Sequence, residues 1–208
     1  MFDEQFASAI TGALAAMSWW ELGAVALALA YLILAMRENS LCWYAAFIST
    51  SIYIFLFWDV SLLMESALQI FYLAMAVYGW WQWRKGREGQ ELQIHCWSLR
   101  THLLVFSAVG VLTLVFGYVL SNNTHAELPY LDSFTTWGAV VTTYMVTRKV
   151  LENWIYWIVI DGASVYLYID RELYLTALLF VLYVVLVVIG FFQWNRVYQR
   201  ERLAATTA

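Results

Sequence analysis

The chain has 208 residues, of which 63% are hydrophobic, 18% aromatic and only 12% charged, with a formal net charge of −4. Soluble domains carry about a quarter charged residues, so this composition excludes one and leaves no room for a separate soluble domain. The pattern is that of an all-α polytopic membrane protein.

Seven apolar segments are predicted, bounded by charges or turn residues: 19–36, 41–57, 61–83, 101–120, 133–146, 153–169 and 173–194. Most approach the roughly 20 residues needed to cross a bilayer of about 30 Å. The second and fifth are short, and the fifth has room to extend at either end. The acidic start Met1-Phe-Asp-Glu lacks the basic region of a cleaved secretory signal, so the first segment reads as an uncleaved anchor. Trp residues cluster at segment ends, as in interfacial belts. Cys42 and Cys96 do not suggest a disulfide framework.

The cations orient the chain. Arg37, Arg84, Lys85, Arg87, Arg100, Arg148, Lys149, Arg196, Arg200 and Arg202 fall on one side of a seven-span arrangement, and Arg171 alone on the other. The positive-inside rule then places the N-terminus outside and the C-terminus in the cytoplasm.

A repeat is visible. Glu38-Asn39 followed by Trp43 opens the second segment, as Glu152-Asn153 followed by Trp157 opens the sixth. Gly79-Trp-Trp-Gln82-Trp83 closes the third, as Gly190-Phe-Phe-Gln193-Trp194 closes the seventh. Segments one to three and five to seven are therefore expected to be parallel copies, with the fourth as connector. The divisions are 1–100, 101–131 and 132–208. Parallel repeats of this kind, as in the SWEET proteins, place a substrate near the midplane between the halves, which favours a transporter.

The stretch 152–161 carries the strongest site candidates. On a helix Asn153, Trp157 and Asp161 share one face, with Trp154 beside them. Polar groups inside a bilayer need protein partners, water or a ligand. Aligning the two Glu-Asn signatures gives Asp161 the mate Phe47, so the fold does not demand a carboxylate there. It could instead bond across the bundle. Glu65, Gln69 and Tyr72 lie at helical spacing in the third segment, opposite Thr176, Phe180 and Tyr183 in the second copy; Glu65 also suits the start of its helix by dipole. Asn39 and Asn153 are candidates both for helix caps and for the site. Thr142, Thr143 and Tyr144 form a polar patch in the fifth segment, although threonines often bond their own helix. Trp and Tyr rings with two carboxylates, and no intramembrane Lys or Arg, suit a flat organic cation and not a phosphate.

Other chemistries lack their residues. The last segment has no lysine for a retinal Schiff base. His95, His102 and His125 lie in or beside loops, and neither a His-Glu-x-x-His nor a phosphate-binding loop is present. Neither an enzyme, a metal site, a cofactor nor a nucleic-acid partner is expected. A membrane sensor or partner-binding subunit stays open.

Arg148-Lys-Val-Leu-Glu-Asn-Trp-Ile-Tyr-Trp157 with Asp161, and Tyr78-Gly-Trp-Trp-Gln-Trp-Arg-Lys85, resemble the PnuC family of bacterial vitamin transporters. The resemblance covers residues 20–196 and implies a SWEET-like arrangement of three, one and three helices. It further implies facilitated diffusion of a small-molecule vitamin, trapping by a cytoplasmic vitamin kinase, and a homotrimer in the lipid bilayer. Nicotinamide riboside carriers of the family tend to have Gln where this chain has Thr143, and often Met-Trp where it has Tyr166-Leu-Tyr168. The Leu-Glu-Asn-Trp and Asp161 pattern looks more like the thiamin-type branch, PnuT. Thiamin is the expected substrate, with nicotinamide riboside as the alternative.

Overall fold

The computed structural model describes residues 10–59, 63–85, 92–124 and 128–207, except the side chains of residues 57, 59, 63–67, 85 and 207. The acidic N-terminal residues, all of the 86–91 loop with Arg87, and His125 lie outside it. Seven long helices follow a short helical stretch at residues 10–16: α1 (Trp19–Met36), α2 (Cys42–Asp59), α3 (Leu63–Lys85), α4 (Leu99–Asn123), α5 (Pro129–Thr147), α6 (Asn153–Asp170) and α7 (Tyr174–Thr207). Three of them, α1, α4 and most of α7, are long and apolar enough to cross a membrane by length and composition alone. Helices α5 and α6 are less apolar for a visible physical reason. Both bury polar side chains, Ser133, Thr135, Thr142 and Thr143 in one and Asn153, Asp161 and Ser164 in the other.

Local signals start and stop these helices where the sequence suggests, with two additions. Ser18 and Glu21 form a reciprocal capping box on α1, and Pro129 starts α5 four residues before the predicted position. Helix α7 continues through the residues expected to be a tail. Helices α1, α5 and α6 end alike. In each, the residue after the C-cap, Glu38, Lys149 or Glu172, adopts a left-handed φ of 52–57°. The two amides beyond the cap fold back on the last turn: Glu38 N to Ala35 O and Asn39 N to Leu34 O, then Lys149 N to Val146 O and Val150 N to Met145 O. This double back-bond needs the left-handed residue, a position that usually holds glycine.

Helix packing closes a ring. α1 packs on α2, α2 on α3, α3 on α5, α5 on α6, α6 on α7, and α7 back on α1; α4 lies outside it, on α5. Equivalent contacts recur around that ring at one spacing, the 111 residues that separate Glu38 from Lys149. The Trp43 indole packs on Gly79 and the Trp154 indole on Gly190, each so close that a Cβ on the glycine would overlap the ring. Trp83 meets Trp43 edge-on at 5.3 Å, and Trp194 meets Trp154 edge-on at 5.3 Å. Trp83 Nε1 donates to Val146 O, and Trp194 Nε1 to Ala35 O.

This spacing corrects the alignment drawn from the two Glu-Asn signatures. Asn39 corresponds to Val150, Trp43 to Trp154, and Asp161 to Thr50, not Phe47. The Gly-x-x-Gln-Trp signatures of α3 and α7 already carried the right register. The Glu-Asn pair misled because Asn39 and Asn153 do different work. Asn39 Oδ1 accepts the amide of Leu41 before α2, whereas Asn153 is the first residue of α6 and its Nδ2 donates to Val150 O.

Candidate functional site

The ring of helices turns polar groups inward at mid-length. Asp161, near the middle of α6, is only 4% exposed, and its carboxylate makes no hydrogen bond or ion pair with any described residue. A linked set of tyrosines reaches it through Tyr183. Tyr183 lies within electrostatic reach of Asp161 and of Tyr53; Tyr168 within reach of Tyr53 and Tyr72; and Tyr31 within reach of Tyr72. Tyr31 and Tyr72 are half-buried, and Tyr31 packs against Trp43 with ring centroids 5.9 Å apart. Tyr168, Phe180 and Tyr183 form a ladder of rings, with centroids 5.0 and 5.4 Å apart.

Positions matched at the common spacing are unequal in this region. Tyr31 stands where the other half has Thr142, Tyr53 where it has Ser164, and Gln69 where it has Phe180. Thr142 and Ser164 bond their own helices, to Gly138 O and Ile160 O. The first half thus supplies Tyr31, Tyr53 and Tyr72, and the second supplies Tyr168 and Tyr183, small satisfied hydroxyls and the unpaired carboxylate. Aromatic rings and a carboxylate are the groups that attract an aromatic cation, by cation–π attraction and charge pairing.

The sequence candidates divide into three groups. Asp161, Tyr72, Tyr183 and Gln69 belong to the central set by position. A second group forms a plug at the end of the ring that bears the basic loops. Trp154 is 1% exposed and locked against Trp194 and Gly190, and Trp157 packs against the same buried cluster. Asn153, fully buried, begins α6 at this end, and its Oδ1 has no partner. Asn39 and Tyr144 lie exposed at that end too, Tyr144 stacked on Tyr78 at 6.4 Å. Thr143 is buried on α5, four residues from the helix end. The Glu65 side chain lies outside the described residues. Tyr31, Tyr53 and Tyr168 were missed by sequence reasoning. Their signal was weak, because single tyrosines in apolar runs also mark interfacial belts.

The plug itself is polar as well as aromatic. Lys149 Nζ pairs with Glu38 Oε2 at 2.9 Å and lies over the Trp83 ring at 5.0 Å. Gln82 Nε2 and Arg148 Nη1 both donate to Tyr78 Oη, at 2.8 and 3.3 Å. Nearby, the segment before α4 pairs with the loop between α5 and α6, His95 N donating to Lys149 O and Leu151 N to His95 O. His102 lies 2.8 Å from Tyr156 Oη and 3.7 Å from Glu152, tying α4 to α6.

A closed ring of helices around an aromatic, carboxylate-bearing centre, with a plug at one end, is the architecture of a helical membrane transporter. The chain matches the nicotinamide mononucleotide transporter family over residues 18–196 and belongs to it. That family is one of membrane transporters for vitamins, not of enzymes. The chain is 24% identical to the nicotinamide riboside transporter PnuC of Escherichia coli, with 86% of this chain and 85% of that one covered. It is also 24% identical to the riboflavin/roseoflavin transporter RibM of Streptomyces davaonensis, covering 85% and 84%. A crystal structure of the vitamin B3 transporter PnuC shares the fold, with TM-score 0.71, 23% identity, and coverage of 88% of this chain and 83% of that one.

Proposed function

We propose that this protein takes up nicotinamide riboside by facilitated diffusion, holding its positively charged ring beside Asp161. The observation that carries this reading is the Asp161 carboxylate, buried to 4% exposure without a partner of its own. An unpaired charge in such a place is costly, and a cationic ligand offsets the cost only while bound. The tyrosines around it supply faces for a flat ring. The sequence preference for thiamin yields to the alternative because the similar proteins carry nicotinamide riboside and riboflavin. Riboflavin is neutral and gains nothing from the carboxylate. Thiamin is also a flat cation, so Asp161 favours it no less, and the relatives make the difference.

In this reading all seven helices span an inner membrane, with the basic end of the ring in the cytoplasm. The ring of contacts and their common spacing support two parallel three-helix copies joined by α4, as in SWEET-like proteins. A homotrimer and a cytoplasmic kinase that phosphorylates the imported vitamin complete the proposal, on the family resemblance. No Lys or Arg falls in the middle of any helix, which weighs against a phosphorylated nucleotide as cargo.

The test is calorimetric titration of the purified protein with nicotinamide riboside, thiamin and riboflavin side by side. Tightest binding of nicotinamide riboside, weakened in Asp161→Asn, supports the reading. Tightest binding of thiamin restores the thiamin-type assignment, and an Asp161→Asn variant with unchanged affinity removes the carboxylate from the site.

A further inference from the structure

We propose that Glu38 and Lys149 form the latch of an inner gate, and that release of cargo requires this pair to part. It rests on the transporter reading only for its purpose; the geometry stands by itself. Glu38 and Lys149 occupy matched positions in the two halves, the left-handed residues that end α1 and α5. Matched positions touch each other only where the halves meet on their common axis, so the pair marks that axis. It is also the one place among the described matched positions where the halves carry opposite charges and bond, at 2.9 Å with Lys149 only 8% exposed.

The bonds around the latch also run between halves. Trp83 of one half donates to Val146 O of the other at 3.2 Å, and Trp194 returns the bond to Ala35 O at 3.0 Å. Their rings meet at 6.0 Å between centroids, and Lys149 lies over Trp83. Arg148 reaches across to Tyr78. Glu201, on the extension of α7, is within electrostatic reach of both latch residues, and burial and Glu38 hold its carboxyl above the ordinary range. By contrast, Arg171 and Asp132 near the other end pair at 3.0 Å within one half. The basic end is therefore bolted shut across the axis by bonds that must all break when the halves separate. Two further groups in this plug, the Trp43 and Trp154 indole N–H donors, are buried without acceptors. Unmet donors of this kind cost free energy in the closed form and lower the barrier to leaving it. The latch offsets that cost, so the closed and open forms stay near enough in energy to interconvert.

Cys42 is a native reporter for the gate. It is fully buried in the plug, in the same cluster as Trp43, Trp83 and Trp194. The experiment follows the rate at which a water-soluble maleimide labels Cys42 in nanodisc-embedded protein carrying Cys96→Ser. Glu38→Gln and Lys149→Gln are each expected to raise that rate roughly tenfold, by shifting the population toward the open form. The exchange Glu38→Lys with Lys149→Glu is expected to bring it back down, which general loosening would not do. Trp83→Phe removes the bond to Val146 O and leaves a smaller ring against Trp43, Trp194 and Lys149, and is expected to raise the rate as well. Unchanged labelling in the single variants, or labelling as fast in the exchange as in the singles, overturns the latch. Nicotinamide riboside affinity measured on the same samples keeps the two ideas apart: lost binding with these labelling rates sinks the substrate and leaves the gate.

Discussion

Asp161 carries the proposed chemistry, and the other half of the fold does without a carboxylate at the same place. At the matching position the first half has Thr50, which packs without a charge. Replacing Asp161 by Asn keeps the shape and removes the charge. That change is expected to weaken nicotinamide riboside binding at least tenfold, since hydrogen bonds and pairs to charged groups contribute about 1.5–3 kcal/mol. The melting temperature should stay level or rise, because the variant no longer buries an unpaired carboxylate. Calorimetry and thermal unfolding of the same preparation check both. Asp161 was legible in the sequence as a carboxylate too deep for a belt. Tyr183, within reach of it, was a candidate too; Tyr31, Tyr53 and Tyr168 were not, because they come from α1, α2 and α6 and join the set only when the ring closes.

At the level of the helix, two glycines behave oppositely. Gly190 on α7 is where the Trp154 indole comes to rest, and a Cβ there would overlap the ring. Gly190→Ala is expected to destabilise the protein by about 1–3 kcal/mol through overpacking. Gly162 on α6 has nothing within 4 Å of its would-be Cβ, so Gly162→Ala should stabilise the helix by roughly 0.5–1 kcal/mol through restricted backbone freedom alone. Denaturation of both variants beside the parent tests the contrast, and a shift of the same sign in both would refute this account. The helix ends carry the same lesson. Glu38 and Lys149 hold left-handed backbone without being glycine, because each side chain gains an ion pair that glycine would lack. Neither the close approach at Gly190 nor the conformation at Glu38 could be read from local sequence, since both are set by a partner from another helix.

For the whole molecule, the central question is what drives the cargo. In facilitated diffusion the energy of accumulation comes from downstream trapping, so flux into empty vesicles should persist when proton and sodium gradients are collapsed. Labelled nicotinamide riboside taken up by proteoliposomes, with and without ionophores, measures this. Uptake abolished by collapsing either gradient would make Asp161 a coupling site instead. Native mass spectrometry of the detergent complex is expected to give three copies, as the family resemblance implies.

Composition by itself determined that the chain is an all-helical membrane protein, because so few charges cannot cover a soluble surface. Charge placement and the Gly-x-x-Gln-Trp signatures further pointed to two copies of one unit. Only the tertiary structure decided the register of those copies, where the Glu-Asn signatures erred. It also packed Trp154 against Trp194 and Gly190, and Trp157 against the same cluster, at the basic end. The reason is physical. Apolarity is a sum over residues and survives in one dimension, whereas a pocket or a gate exists only where side chains from separate helices converge.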